Sequence, residues 1–297
     1  MHSIEEARAR LSRLDRLAGR ASRDLTLGDD AIRFEGLTDA VASKLDSRWG
    51  GFLGPAGGEA PGLLVRVVSD DGVGWLPRWR PGESYRIEAE AAGGPLVVRS
   101  YHFALSPEIG GAWRLAVNEG PDEPIGRVVE NAVRYLVARR AIERGGIAVH
   151  GAGVTRDGRA WVFAGPSGSG KSTVVRLLQP VTSLGDDFAV IVPHGEGWAT
   201  HAVPFDNAET APASPVRGLV PLAGVFRLFQ ADGHRVERPT GVLAQASLLA
   251  CAAFPWALPD LAGRAGEAIA RLASSGLYGH LHFAVDPGFW SVVEGGS

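Results

Sequence analysis

A glycine-rich segment between two apolar runs carries the most specific chemical pattern of the chain. Residues 165–173 read GPSGSGKST, which fits the spacing G-x-x-x-x-G-K-[ST] of a phosphate-binding loop. Residues 160–164 before it have the composition of a short strand, and residues 173–178 continue as a helix. A strand, a loop and a helix in this order direct backbone N–H groups toward a phosphate. The pattern predicts a nucleotide site made by Gly165, Pro166, Ser167, Gly168, Ser169, Gly170, Lys171, Ser172 and Thr173.

The use of lysine supports this interpretation. The chain has 30 basic residues, of which only Lys44 and Lys171 are lysines. A sequence that otherwise uses arginine thus keeps lysine where a compact ammonium must reach the β- and γ-phosphates. The hydroxyl of Ser172 is predicted to bind Mg²⁺, because a nucleotide is normally held as its magnesium complex. The expected ligands are ATP and Mg²⁺.

Two acids follow the predicted helix. Asp186 and Asp187 precede the apolar residues 188–192, and we expect them to open a strand beside the loop strand. At least one carboxylate would then lie near the γ-phosphate, to accept a proton from an acceptor hydroxyl or to hold the metal. His150 lies in the predicted strand 147–154, which neighbours the loop strand in sequence. The alternative for His150 is a packed core histidine.

Together, His150-Gly151, the glycine loop and the sequence Leu-Gly-Asp-Asp at 184–187 resemble the catalytic core of the HPr kinase/phosphorylase family. The resemblance implies a P-loop kinase core of the HPr kinase and phosphoenolpyruvate carboxykinase type, which phosphorylates a serine of a carrier protein. It implies that Asp187 accepts the proton of the acceptor hydroxyl and that Asp186 supports the metal. The catalytic positions that it implies are His150, Lys171, Ser172, Asp186, Asp187, Arg217 and Arg238.

The chain departs from the family at one metal position. Pro215 stands where the family has a metal-binding glutamate two residues before Arg217-Gly218, and Glu209 is a candidate substitute. The resemblance covers roughly residues 145–240, and the N-terminal part carries no motif of the family. This pattern is similar to the divergent HPr-kinase-like proteins that accompany peptide-tailoring clusters, some of which phosphorylate a precursor peptide.

Two domains are expected from the length and from the change in pattern along the chain. Residues 1–124 begin with an amphipathic helix over 4–20 and continue as short strands separated by Gly and Pro, so we predict a mixed, mostly β domain. Residues 125–297 alternate helices and strands, which predicts an α/β catalytic domain. The expected fold class is therefore α/β, with a role for the first domain as a substrate-recognition unit or a lid.

Composition narrows the classes of partner. The net charge is −3 with no basic stripe, so no nucleic acid is expected, and Cys251 is the only cysteine. The first residues lack the apolar core of a signal peptide, which favours a cytoplasmic protein. Residues 241–259 are uncharged but contain two prolines, so we expect a buried helix to about residue 253 and no membrane contact. The resemblance leaves open a homo-oligomer.

Three functions remain open from the sequence. The favoured one is an ATP- and Mg²⁺-dependent kinase whose acceptor is a serine in a peptide or small protein. A second keeps the chemistry but takes a small molecule, such as free serine, as the acceptor. The third is a nucleotide-sensing scaffold without catalysis, which Pro215 favours because it removes a metal-binding acid.

Overall fold

The computed structural model describes residues 3–57, 60–70, 72, 74–77, 85–120, 123–178, 180–205, 215–254 and 257–295. Within these ranges, seven helices and two large mixed sheets form a mixed α/β protein, so the predicted α/β class is confirmed. The chain divides into two compact units, the first chiefly Met1–Leu136 and the second chiefly the residues from Val137 on. The division falls inside a helix, 12 residues after the boundary that the sequence suggests at 124 (136 against 124).

The first unit is an eight-stranded sheet, and one helix contacts the strands near each end of the strand order. The strands run in the order β3-β1-β2-β4-β8-β7-β6-β5, in which β2, β4 and β8 are parallel neighbours. Its elements are α1 (Ile4–Arg13), β1 (Ala21–Leu27), β2 (Asp30–Leu37), α2 (Asp39–Trp49), β3 (Leu53–Pro55), β4 (Leu63–Val68), β5 (Glu88–Glu90), β6 (Val97–Arg99), β7 (Phe103–Pro107) and β8 (Trp113–Val117).

Helix α1 begins at a reciprocal cap. The Ser3 hydroxyl accepts from the Glu6 N–H at 3.1 Å, and the Glu6 carboxylate accepts from the Ser3 N–H at 2.7 Å. The helix predicted over 4–20 ends earlier, at Arg13. The reason is that the following residues pair with the sheet instead: Leu17 forms a bridge to Val68.

The second unit contains the predicted catalytic segment. This unit also takes in the end of helix α3 (Ile125–Glu143), which crosses the division after Leu136. It comprises β9 (Ile147–Val149), β10 (Gly151–Arg156), β11 (Arg159–Ala164), α4 (Lys171–Leu177), β12 (Thr182–Gly185), β13 (Ala189–His194), β14 (Gly197–Thr200), β15 (Val220–Gln230), β16 (Arg235–Glu237), α5 (Gly241–Leu249), α6 (Ala262–Ala273), β17 (Tyr278–Phe283) and α7 (Phe289–Gly295).

The sheet of the second unit is covered on both faces. Its strands follow the order β12-β10-β11-β15-β14-β13-β9, with β17 beside β15 and β16 beside β17. One face packs Phe163 and Phe226 against Val174 of α4 and Phe289 of α7. The other face packs its apolar residues against α5 and α6. Alternation along β11 and β15 therefore sends successive side chains to opposite helical layers.

One predicted strand is divided in the structure. The strand expected over 147–154 is two strands, β9 and β10, which separate at His150 and pair with different neighbours. The helix α5 ends at Leu249, before the expected end near residue 253. Among the described residues, no helix is both long enough and apolar enough to cross a bilayer.

A buried carboxylate ties α2 to the first half of α3. Glu130 is fully buried, and its carboxylate accepts from Arg48, from Arg127 at 3.1 Å and from Arg134 at 3.0 Å. Three guanidinium groups thus share one acid inside the first unit. Removing that acid leaves half-buried positive charges without their shared partner, which is the costly way to break an ion pair whose acid is buried.

We expect Glu130→Ala to lower the free energy of unfolding by about 3–5 kcal/mol. The control is Asp46→Ala, which breaks the exposed Arg23–Asp46 pair of 2.6 Å and should cost about 0–1 kcal/mol. Urea unfolding of both variants measures the difference. Equal effects of the two substitutions would contradict a structural role for the buried cluster.

Candidate functional site

The glycine loop lies between β11 and α4, as the sequence predicts. Two of its glycines have left-handed backbones, with φ of 78° at Gly168 and 101° at Gly170. A Cβ on Gly170 would lie 2.6 Å from the Phe283 ring, so a side chain does not fit there. The Ser169 hydroxyl oxygen is buried and finds no hydrogen-bond partner among the described residues. The loop is thus a tight backbone cradle with an unsatisfied polar atom in it.

Lys171 points its ammonium back into this cradle. The side chain is only 9% exposed, and Nζ donates to Gly165 O at 3.0 Å and to Pro166 O at 3.1 Å. Within the described part of the chain, no carboxylate pairs with it. A buried ammonium whose partners are neutral carbonyls keeps its charge uncompensated, which suits an anionic ligand.

The register of the strands places Asp186 and Asp187 at the sheet edge where the glycine loop begins. Strand β10 pairs antiparallel with both β11 and β12, through Gly151 opposite Ala164 and Gly153 opposite Gly185. Strands β11 and β12 are therefore parallel to each other and leave the sheet at the same edge. With strands about 4.8 Å apart and a stagger of two residues, their ends are separated by roughly 12 Å. The glycine loop follows one of these ends, and Asp186 and Asp187 follow the other.

The local structure at the acid pair differs from the prediction. Asp186 and Asp187 do not open a strand: they form a bend between β12 and β13, which begins at Ala189. Nor is β12 the direct neighbour of the loop strand, because β10 lies between them. Gly185 ends β12 with φ of 142°, in a position where a Cβ would lie 2.7 Å from Val203. Both aspartates are half-buried.

His150 lies beside the base of the loop. Its carbonyl accepts from Gly165 N at 3.0 Å, and its own N–H donates to Cys251 O at 2.8 Å. The residue is exposed and joins the end of β9 to the start of β10. The structure therefore brings His150, the glycine loop and the bend of Asp186 and Asp187 to one sheet edge.

The two predicted arginines lie elsewhere. Arg217 is exposed and precedes β15, at the opposite end of that strand from the glycine loop. Arg238 follows β16 and donates to Tyr278 O at 3.2 Å, and burial lowers the pKa of its guanidinium. Pro215 is buried and offers no carboxylate, while Glu209 lies outside the described residues.

A polar cluster that the sequence analysis missed joins strands β15 and β17 to helix α5. Ser247 Oγ accepts from Arg227 Nη1 at 3.0 Å and from Tyr278 Oη at 2.9 Å, and lies 2.7 Å from His280 Nε2. Arg227 is opposite Ala164 in the parallel pairing of β11 and β15. An arginine inside the apolar strand β15, and the alternation of Tyr278 and His280, were the available signals.

The donor set fits a magnesium nucleotide only in part. Ser172 is exposed in the first turn of α4, so its hydroxyl is open to a ligand, and Asp186 lies at the same edge. Among the described residues, no group of three or more His, Cys, Asp or Glu side chains could hold a metal ion alone. A metal at this site would therefore take further ligands from the phosphates themselves, as Mg²⁺ commonly does.

A family model matches the part of the chain that holds this edge. Residues 117–256, a little under half of the 297 residues, are similar to the family described as SynChlorMet cassette protein ScmC. The matched segment includes His150, the glycine loop, both aspartates and Arg227, and it ends before Tyr278. The comparison with curated proteins gives no match.

We expect Gly170→Ala to destabilise the protein by about 1–3 kcal/mol, since the left-handed backbone disfavours a side chain and the new Cβ would overlap the Phe283 ring. The matched control is Gly266→Ala in the exposed part of α6, where nothing lies within 4 Å and alanine should stabilise the helix by up to about 1 kcal/mol. Thermal unfolding of both variants checks the opposite signs.

The pKa of His280 gives a second prediction. Burial, followed by the charge of Arg227, lowers this pKa from its ordinary value of 6.5. The unfolded chain therefore binds the proton more readily, and the stabilising contribution is complete above pH 6.5 and is lost as the pH falls toward the lowered folded value.

Unfolding free energies at pH 7.5 and pH 5.5 measure this contribution. The wild-type protein should lose more stability between the two pH values than His280→Gln, whose side chain does not titrate there. An equal loss in both proteins would show that His280 does not contribute.

Proposed function

We propose that the protein is a kinase of the HPr kinase-like type that transfers the γ-phosphoryl group of magnesium ATP to a serine hydroxyl of a peptide or small protein. One observation carries the proposal. The buried ammonium of Lys171, which pairs with no carboxylate of the described residues, sits in a glycine cradle at the sheet edge where Asp186 and Asp187 follow the end of β12. A cation for phosphate and a carboxylate for a hydroxyl are the two groups that phosphoryl transfer requires of a protein.

In this proposal the glycine loop and Lys171 bind the β- and γ-phosphates. Lys171 would exchange its loop carbonyls for phosphate oxygens, which replaces neutral acceptors by charged ones and strengthens the hydrogen bonds. Ser172 and Asp186 would hold the metal ion, which when bound neutralises charge on the phosphates.

Asp187 is the proposed proton acceptor. As the acceptor oxygen bonds to the γ-phosphorus, the bond from that phosphorus to the β–γ bridging oxygen breaks and ADP leaves. The proton of the hydroxyl passes to the Asp187 carboxylate. His150 would stabilise charge on the transferring group, since it is tied to the loop through Gly165. Arg217 and Arg238 were predicted for this role, but Arg217 lies at the opposite end of β15 from the glycine loop and Arg238 binds Tyr278 O.

The peptide acceptor is supported by sequence alone. The resemblance to HPr-kinase-like proteins of peptide-tailoring clusters favours it, and the family match is to a protein described as a member of a cassette. Free serine and a scaffold without turnover are the competing outcomes of the tests below. The absence of a carboxylate at Pro215 is the observation that favours the scaffold.

We expect Lys171→Met to reduce the affinity for magnesium ATP at least a hundred-fold, because the ammonium contacts the charged phosphates. The matched control is Lys44→Met, the only other lysine, which forms an exposed pair with Glu119 in the first unit and should bind ATP like the wild type. Calorimetry with magnesium ATP measures both. Equal affinity in the wild type and Lys171→Met would refute the nucleotide site.

Asp187→Asn separates a kinase from a scaffold. Transfer of label from [γ-³²P]ATP is measured on a peptide library with a fixed central serine, on the same library with alanine there, and on free serine. The variant should bind ATP as the wild type does and lose transfer about 10²–10⁴-fold, the range for a general base. Transfer that needs the peptide serine supports the proposal, transfer to free serine alone favours a metabolite kinase, and no transfer by the wild type favours a scaffold.

A further inference from the structure

Arg227 is a half-buried cation in strand β15. Its Nη1 group donates to Ser247 Oγ at 3.0 Å and to the Ser247 carbonyl at 3.4 Å, and its guanidinium lies 5.2 Å from the Phe229 ring centroid. Within the described residues, no acid pairs with it, and nothing accepts from Nε or Nη2. A guanidinium normally offers five N–H donors, so most of its hydrogen-bonding capacity remains available.

Its position is set by strand register. Arg227 lies opposite Ala164, the last residue of β11 before the glycine loop, on a neighbouring parallel strand. Adjacent parallel strands are about 4.8 Å apart, less than the length of an arginine side chain. The charges of Arg227 and Lys171 both act on the Cys251 thiol, whose pKa is raised by burial and drawn down by these two cations.

The Ser247 hydroxyl is saturated, which fixes the guanidinium. A hydroxyl can accept two hydrogen bonds and donate one. Ser247 Oγ accepts from Arg227 and from Tyr278, so its own proton must go to His280 Nε2 at 2.7 Å. This requires neutral His280, which agrees with its lowered pKa, and a protonated Tyr278, whose pKa is raised to about 12 by burial. With the protons arranged in this way, all three bonds are satisfied.

We propose that Arg227 is a second phosphate-binding residue of the site, whose free N–H groups bind oxygen atoms of the nucleotide polyphosphate, and that Ser247 is the positioning residue that holds it. The inference rests on the proposed function, since it assigns a further contact to the same nucleotide. A bidentate guanidinium adds direction to the point charge of Lys171. The arrangement selects a polyphosphate, whereas adenosine alone makes no use of it.

The test compares Arg227→Gln with Arg227→Lys. Gln keeps a donor for Ser247 Oγ and removes the charge, while Lys keeps the charge and removes the fork. The probes are magnesium ATP, magnesium tripolyphosphate and adenosine, measured by calorimetry. We expect Arg227→Gln to weaken ATP and tripolyphosphate binding about ten- to a hundred-fold, a range typical of one hydrogen bond to a charged group, with a smaller loss in Arg227→Lys. Adenosine affinity should not change.

Ser247→Ala tests the positioning role. It should weaken binding of both phosphate ligands several-fold and leave adenosine unaffected, a selectivity that general destabilisation of the fold would not produce. If Arg227→Gln does not fold, Ser247→Ala decides the question by the same criterion. Tripolyphosphate affinity within two-fold of the wild type in the folded variant overturns the inference.

The two proposals fail in different ways. If Lys171→Met abolishes binding while Arg227→Gln binds like the wild type, the nucleotide site stands and the assignment of Arg227 is wrong. If the wild type and Lys171→Met bind magnesium ATP equally, the proposed function itself is wrong.

Discussion

The antiparallel pairing of β10 with both of its neighbours is the constraint on which the candidate site depends. Because β10 runs against β11 and against β12, these two strands must end at the same edge. The chain carries a glycine loop after one end and an acid pair after the other. Neither segment needs to reach toward the other, since the sheet places them together. At the same edge, where β10 begins, the Gly165 N–H donates a hydrogen bond to the His150 carbonyl.

The conformation of the backbone at this edge explains where glycine is required. Gly170 and Gly185 both hold positive φ angles, and both face neighbours that leave no space for a Cβ. Gly170 precedes the helix that begins with Lys171, and Gly185 ends the strand that leads into the two acids. The two turns that position Lys171 and the two acids are therefore also turns in which a side chain is excluded. Both the fold and the candidate site thus require glycine at these two positions.

The sequence predicted the individual strands and helices better than it predicted which strands lie next to each other. The glycine loop, its flanking strand and helix and the α/β class follow from local pattern, and they are found where expected. The break at His150 was invisible because residues on both sides are equally apolar. The position of β10 between β11 and β12 depends on long-range pairing, which no local pattern encodes. The Arg227–Ser247 contact joins residues 20 positions apart on different elements, so it could be seen only in three dimensions.

The cations near the sheet edge that holds the glycine loop lower the stability of the fold and favour the binding of an anionic ligand. Lys171 and Arg227 are two partly or wholly buried cations for which the described residues provide carbonyls and one hydroxyl. Desolvating a charge without an opposite charge costs free energy. A structure keeps such an arrangement only if the rest of the fold supports it, and the two apolar layers on either face of the sheet provide that support. A polyanion that binds both cations would offset this cost, so its binding would also raise the free energy of unfolding of the protein.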